Sequence, residues 1–230
     1  LSPDNFSVDY ALCPEQVITD YIRRLIEFPE ALQVLGFANG RVTMVAVRAV
    51  EGGMLVGQPI KNMRLHLPSE TDARIAAIFR RDQPVVPEGN TVVEAGDEVF
   101  ILAAAEHIRP VLAQLRRMMK PVERIMVAGG GNIGLRVARA LEKRYQGTLI
   151  EVKRERAEQI SNELHKTLVL LGDATDEELL EQENIAAMDV FCALTNDDED
   201  NIMSALLAKR LGASKVSTLI GNPAYVDLVQ

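Results

Sequence analysis

The sequence predicts an α/β chain in which a parallel-sheet domain is preceded by a smaller α+β domain. Three observations carry that prediction. From Arg124 onward, short apolar strands alternate with helical segments, which is the pattern of a parallel sheet with right-handed crossovers. The first strand of that run ends on Gly129-Gly130-Gly131-Asn132-Ile133-Gly134, and the first helix begins there. Between residues 42 and 103, strands instead follow one another with Pro/Gly turns between them.

Taken in order, residues 8–13 are a short apolar run that reads as a strand. Pro14 suits a first helical turn, and Val17, Ile18, Tyr21, Ile22, Leu25 and Ile26 recur at helical spacing until Pro29 ends the helix. Residues 42–50 read as a strand closed by Glu51-Gly52-Gly53, and a short helix falls around Pro59 to Met63. Ala73 to Arg80 and Glu98 to Ala103 are strands, with Pro84, Pro87, Glu88-Gly89-Asn90 and Ala95-Gly96-Asp97 turning the chain between them. Glu106 to Met118 is a helix with Ile108, Val111, Leu112 and Leu115 on one face. Met118-Met119-Lys120-Pro121 reads as a linker. Beyond it, strands are expected at 124–128, 147–152, 167–171, 189–194 and 215–220. Helices are expected at 132–144, 155–165, 176–183 and 198–211. The expected sheet order is 3-2-1-4-5, a Rossmann-type sheet.

The glycine run sits where a dinucleotide-binding fingerprint must sit. A strand delivers the chain to Gly129-x-Gly131-x-x-Gly134, a helix follows, and the acidic Glu151 ends the next strand. The three glycines supply a tight turn, close backbone approach to a pyrophosphate, and close packing of helix on sheet. The helix N-terminus offers bare N–H groups and a positive dipole end to phosphate. Glu151 can accept both hydroxyls of an adenosine ribose and would repel a 2′-phosphate, which favours NAD(H) or another adenosine ligand with an unphosphorylated ribose over NADP(H). Lys153, Arg154 and Arg156 soften that preference.

Two further loops follow strands of the same sheet. Gly172-Asp173-Ala174-Thr175-Asp176 reads as a turn and helix cap, with Thr175 and Glu178 in capping-box spacing. Loops at this end of the sheet also surround the adenosine, so Asp173, Ala174 and Thr175 are candidate ligand contacts. Thr195-Asn196-Asp197-Asp198-Glu199-Asp200 reads as a second cap, with Asn196 ahead of Glu199. Thr195, Asn196 and Asp197 are placed beside the pyrophosphate or distal nucleoside. The acids that follow leave open a charge-sensitive switch or, as the lesser alternative, a divalent-ion site.

A net charge of −8 and the lack of a Lys/Arg cluster argue against a nucleic-acid surface. No apolar run approaches the length of a membrane span. Cys13 and Cys192 lie in apolar stretches and read as small core residues of a reducing compartment, and His66, His107 and His165 have no ligand-spaced partners. Arg64, His66, Arg74, Arg80 and Arg81 could line an anionic site, with a solvated charged face the simpler reading. No catalytic residue and no metal set is identified. A hydride-transfer enzyme would need an acid/base group near the nicotinamide, and none is evident after the fifth strand. An NAD-dependent dehydrogenase lacking its catalytic domain, and a methyltransferase, stay as alternatives. Leu1 and the apolar stretch closing at Gln230 suggest a piece of a longer protein.

Ala128 to Gly134, Leu149 to Glu151, Gly172 to Thr175 and above all Ala193 to Lys209 resemble the nucleotide-binding half of the RCK or KTN potassium-transport regulators. Gly57 to Leu65 and Pro87 to Thr91 through Gly96-Asp97 are similar to that family's small C-terminal domain. The resemblance implies residues 1–38 as the tail, a strand and crossover helix, of a preceding nucleotide-binding domain. It implies 39–120 as a small α+β C-type domain and 121–230 as a Rossmann-type N-type domain, in a chain of tandem units. It further implies NAD(H) or ATP on Gly129, Gly130, Gly131, Asn132, Ile133 and Gly134, with Glu151 on the ribose. Asp173 to Thr175 would meet the adenine, and Thr195 to Asp197 the phosphates or distal nucleoside. The implied role is gating, not catalysis: a cytosolic homo-oligomer, a dimer or larger, peripheral on the membrane and acting on a membrane potassium uptake transporter.

Overall fold

The computed structural model describes residues 12–67, 69–115 and 120–226. Two compact units form, one from residues 27–121 and one from residues 122–230 together with the segment before residue 27. The first helix, α1 (Pro14–Glu27), runs in the second of these units.

The smaller unit is an antiparallel sheet of β1 (Ala31–Phe37), β2 (Val42–Arg48), β3 (Ala73–Arg80), β4 (Gln83–Val85) and β5 (Glu98–Ala104), in the order β1-β2-β5-β3-β4. Its helices are α2 (Met63–His66) and α3 (Ile108–Leu115). The two-residue period of β5 buries Val99, Ile101 and Ala103, and the helical period of α3 buries Ile108, Val111, Leu112 and Leu115. One ion pair is built into this unit. Arg80 clasps Asp97 through Nε and Nη2 at 2.8 and 2.9 Å, and also donates to Glu94 and to the Val92 carbonyl. Arg80 is thereby engaged by its own domain, which removes it from the candidate anionic site.

The larger unit holds β6 (Arg124–Ala128), α4 (Asn132–Leu141), β7 (Gln146–Glu151), α5 (Arg154–Glu163), β8 (Leu168–Leu171), α6 (Glu177–Gln182), β9 (Val190–Ala193), α7 (Asp198–Arg210) and β10 (Lys215–Thr218). Every strand pair is parallel, and the order is β10-β9-β6-β7-β8. That is 3-2-1-4-5, the order read from the sequence. Alternating residues of β6 go to opposite faces. Ile125 and Val127 join a core with Leu135, Ala138 and Ile160, while Met126 and Ala128 join one with Leu180, Ala205 and Ala208. Ile22 and Ile26 of α1 enter the first of these cores, so α1 completes a face of this sheet.

Several local expectations need correction. The strand β1 was not anticipated; a bulge near Ala31 and Gln33 breaks its alternation, although Asn39-Gly40 in the left-handed region marks the hairpin behind it. Thr175 does not cap α6; Asp176 does, accepting from Glu178 and Leu179 N–H. Likewise Asp197, not Asn196, caps α7 by accepting from Asp200 N–H. In both cases an aspartate stands one residue nearer the helix, where its short carboxylate reaches the free amides. Cys13 is exposed at the start of α1 and is no core residue, whereas Cys192 is buried, and burial pushes its thiol up to about 12. Leu12 and Cys13 lie outside any strand, and the rest of the strand read at 8–13 lies outside the described residues. So do the end of the helix read to Met118, Met118 and Met119 of the linker, and residues 227–230. No helix among the described residues is long and apolar enough to cross a membrane.

Candidate functional site

The carboxyl ends of β6, β7, β8 and β9 border one cleft of about 590 Å³, within the range of small-molecule sites. The glycine run forms its floor. Gly129 takes φ +97°, and a Cβ there would stand 2.8 Å from the Thr195 amide nitrogen. Gly134 faces the other way: a Cβ on it would lie 1.9 Å from the Gly129 carbonyl oxygen, so helix and strand could not close. Gly131 differs from both. Its φ is −64° and ψ −171°, which any residue adopts, and a Cβ would meet only Asn196 Oδ1, at 3.6 Å. The protein itself does not require glycine at 131; the space left open there belongs to the cleft. Gly131 is also the N-cap of α4, and no side chain caps that helix. With Gly131 lining the cleft, the positive dipole end of α4 lies at its edge.

Glu151 ends β7 and is buried. Its Oε2 accepts from Gly130 N–H at 2.8 Å and its Oε1 from Lys153 N–H at 2.8 Å. These bonds fix the carboxylate and leave each oxygen a further lone pair. Arg156, in the first turn of α5, donates Nε to the Gly130 carbonyl at 2.9 Å. The peptide units on both sides of Gly130 are thus held by oppositely charged side chains. On the next loop, Asp173 Oδ1 accepts from Thr175 N–H and Oγ1 at 2.8 and 2.7 Å, which presents Ala174 to the cleft.

Asn201 organises the loop after β9. It is almost fully buried, accepts from Thr195 N–H and Oγ1 at 2.8 Å each, and donates to the Thr195 and Leu219 carbonyls at 3.1 and 2.9 Å. All its amide hydrogen-bonding groups are in use. Thr195, Asn196 and Asp197 are thereby placed on the cleft wall, with Asp200 and Ser204 further along α7. Burial, then the charges of Asp197, Asp173 and Glu199, raise the Asp200 carboxyl above its ordinary range. Among the described residues, no group of three or more His, Cys, Asp or Glu side chains is arranged to hold a metal ion.

Of the residues singled out from the sequence, Gly129, Gly131, Glu151, Asp173, Ala174, Thr175, Thr195, Asn196 and Asp197 share this cleft. Gly130, Asn132, Ile133 and Gly134 do not line it; Gly130 lies behind the wall and Gly134 seals the helix to β6. Asp200 and Ser204 line the cleft, although the sequence does not mark them as ligand contacts; Arg156 and Lys153, read from the sequence as softening the preference for an unphosphorylated ribose, line it as well. Helical spacing held the signal, since 197, 200 and 204 fall on one face of α7.

Residues 125–230 match the family model of the TrkA-N domain, and residues 44–116 that of the TrkA-C domain. The chain is 56% identical over 223 residues to the Trk system potassium uptake protein TrkA of Halomonas elongata, covering 97% of this chain and 49% of that one. It is 48% identical over 227 residues to the Trk system potassium uptake protein TrkA of Haemophilus influenzae, covering 99% and 49%. The chain thus spans about half the length of the curated relatives it matches. Among solved structures, the GsuK RCK domain shares the fold, with a TM-score of 0.52, 21% identity and coverage of 89% of this chain and 48% of that one. A GsuK channel bound to NAD gives 0.51 and 19%, covering 89% and 40%. With both domain models matched in sequence and the parallel and antiparallel sheets in place, the chain belongs to the TrkA family.

Proposed function

We propose that this chain is part of a regulatory subunit that binds NAD(H) or ATP and, through a change of conformation, gates a Trk-type membrane potassium uptake transporter. Gly131 is the observation that carries the nucleotide part: a glycine that the fold does not need, at an uncapped helix N-terminus, opening a cleft beside a fixed carboxylate. In this reading Gly129 to Gly134 cradle the diphosphate and Glu151 takes the ribose. Asp173, Ala174 and Thr175 lie toward the adenine, and Thr195, Asn196 and Asp197 toward the phosphates or distal nucleoside. The transport role is supported by the relatives, which are Trk system potassium uptake proteins.

We place the domains in a tandem arrangement in which the segment before residue 27 is the tail of a preceding nucleotide-binding domain. Residues 27–121, with β1 in their sheet, are a C-type domain where the sequence alone suggested a start at 39, and the rest is an N-type domain. The working protein is a homo-oligomer in the cytoplasm, peripheral on the membrane, and it does not turn its nucleotide over. Ligand shifts a conformational equilibrium through different affinities for its states, a coupling of about 1–3 kcal/mol per site.

The test is calorimetric titration with NAD, NADH, NADPH, ATP and S-adenosylmethionine, with absorbance of the reduced cofactor followed in parallel. Binding of NAD(H) or ATP, weaker NADPH binding and no turnover support the proposal. Turnover of the reduced cofactor would replace it with the dehydrogenase reading, and silence from every adenosine ligand would end the nucleotide reading.

A further inference from the structure

The acidic run that opens α7 divides by direction. Asp197 and Asp200 line the cleft. Asp198, between them, lines no part of it and turns to the segment leaving β10: its Oδ1 accepts from Gly221 N–H and its Oδ2 from Asn222 N–H, both at 2.8 Å. Glu199 accepts from the Tyr225 hydroxyl at 2.7 Å on the same segment. One turn later Asn201 bonds both Thr195, on the cleft wall, and the Leu219 carbonyl, at the start of that segment. A single helical turn therefore holds the cleft wall with one face and the outgoing segment 219–225 with the other.

We propose that Asn201 and Asp198 are positioning residues that make the cleft loop 195–197 and the segment 219–225 one cooperative unit, so that ligand in the cleft is felt on the chain leaving β10. The inference rests on the nucleotide reading of the cleft. Opening of segment 219–225 requires release of Asn201, and release of Asn201 frees Thr195 from the cleft wall. Ligand contacts to that wall must then be lost whenever the segment opens. Ligand at about 100 times its Kd makes such an opening about 100-fold rarer, whereas an opening independent of the cleft keeps its frequency.

The experiment is amide hydrogen exchange on the chain with and without saturating NAD, read at peptides covering 219–226 and resolved at Gly221 and Asn222. Exchange at these two amides should slow by ten- to 100-fold with NAD. In Asp198→Ala, NAD should bind with affinity within about threefold of wild type, because Asp198 touches no cleft atom, while the slowing at 221–222 disappears. Asp198→Asn, which keeps one acceptor, should restore part of it. Calorimetric NAD binding with unchanged exchange at 221–222 in the wild type overturns the inference and leaves the nucleotide reading standing. So does undiminished slowing in Asp198→Ala. Failure of NAD to bind the wild type removes both together.

Discussion

The Glu151 carboxylate accepts a hydrogen bond from the Gly130 amide at 2.8 Å, tying the end of β7 to the middle of the glycine loop. Its other oxygen holds Lys153 N–H at the same distance. The acid therefore shapes the loop as well as facing the cleft. Glu151→Gln turns one acceptor into a donor against an amide N–H and should cost about 1–3 kcal/mol of stability. It also removes the charge that opposes a 2′-phosphate, so NADPH should gain on NAD in a competition titration. An unchanged NAD/NADPH ratio would mean that Glu151 only shapes the loop.

Two glycines of the run that follows β6, Gly134 and Gly131, should separate fold from ligand. Gly134→Ala places a methyl 1.9 Å from the Gly129 carbonyl oxygen and should destabilise by about 3 kcal/mol, seen as a lower denaturation midpoint. Gly131→Ala meets only Asn196 Oδ1, at 3.6 Å, and should shift stability within about 0.5 kcal/mol.

Asn201→Ala leaves the half-buried Leu219 carbonyl and the Thr195 amide without their partner and should cost about 3 kcal/mol. Asn201→Asp should be worse, because it turns one carboxylate oxygen toward the two carbonyls that now receive the amide's hydrogens. Urea denaturation of the two variants checks both the size and the order.

The Arg80–Asp97 pair gives a pH signature. Burial pushes the Asp97 carboxyl up, but the Arg80 guanidinium and the Glu94 N–H outweigh it and hold it below its ordinary 3.8. Folded Asp97 thus binds a proton less readily than unfolded Asp97. Its contribution is fully present above pH 3.8 and is lost as pH falls through the lower folded value. Asp97→Asn should cost about 2 kcal/mol at pH 7, with the gap to wild type closing below pH of about 4. Thermal melts across that range read it directly.

The two cysteines should differ sharply. Cys13 is exposed, while Cys192 is buried with its thiol pushed up to about 12. A disulfide reagent should label one thiol per native chain and two in denaturant. Two labelled in the native state would contradict the buried position of β9.

Much of the larger unit was legible because each parallel crossover demands a helix between apolar strands, and Ile125 to Ala128 and Val190 to Ala193 are continuously apolar for that reason. The cleft was legible where chemistry sits on loops next to strand ends, as at Gly131, Glu151 and Asp173. It was illegible where residues reach it from inside α7: Asp200 and Ser204 look like surface polar positions until the helix is aimed. Cap positions were missed by one residue because Thr175 and Asn196 are also good capping types. β1 escaped because its bulge breaks the two-residue period from which a strand is read.

The central claim is that glycine at 131 is kept for a ligand. The measurement is a calorimetric titration of NAD into wild type and Gly131→Asp, with the melting temperature of each recorded beforehand. The claim predicts similar melting temperatures, saturable binding by the wild type, and loss of binding when a charged side chain fills the cradle. NAD binding of equal affinity in Gly131→Asp would contradict it.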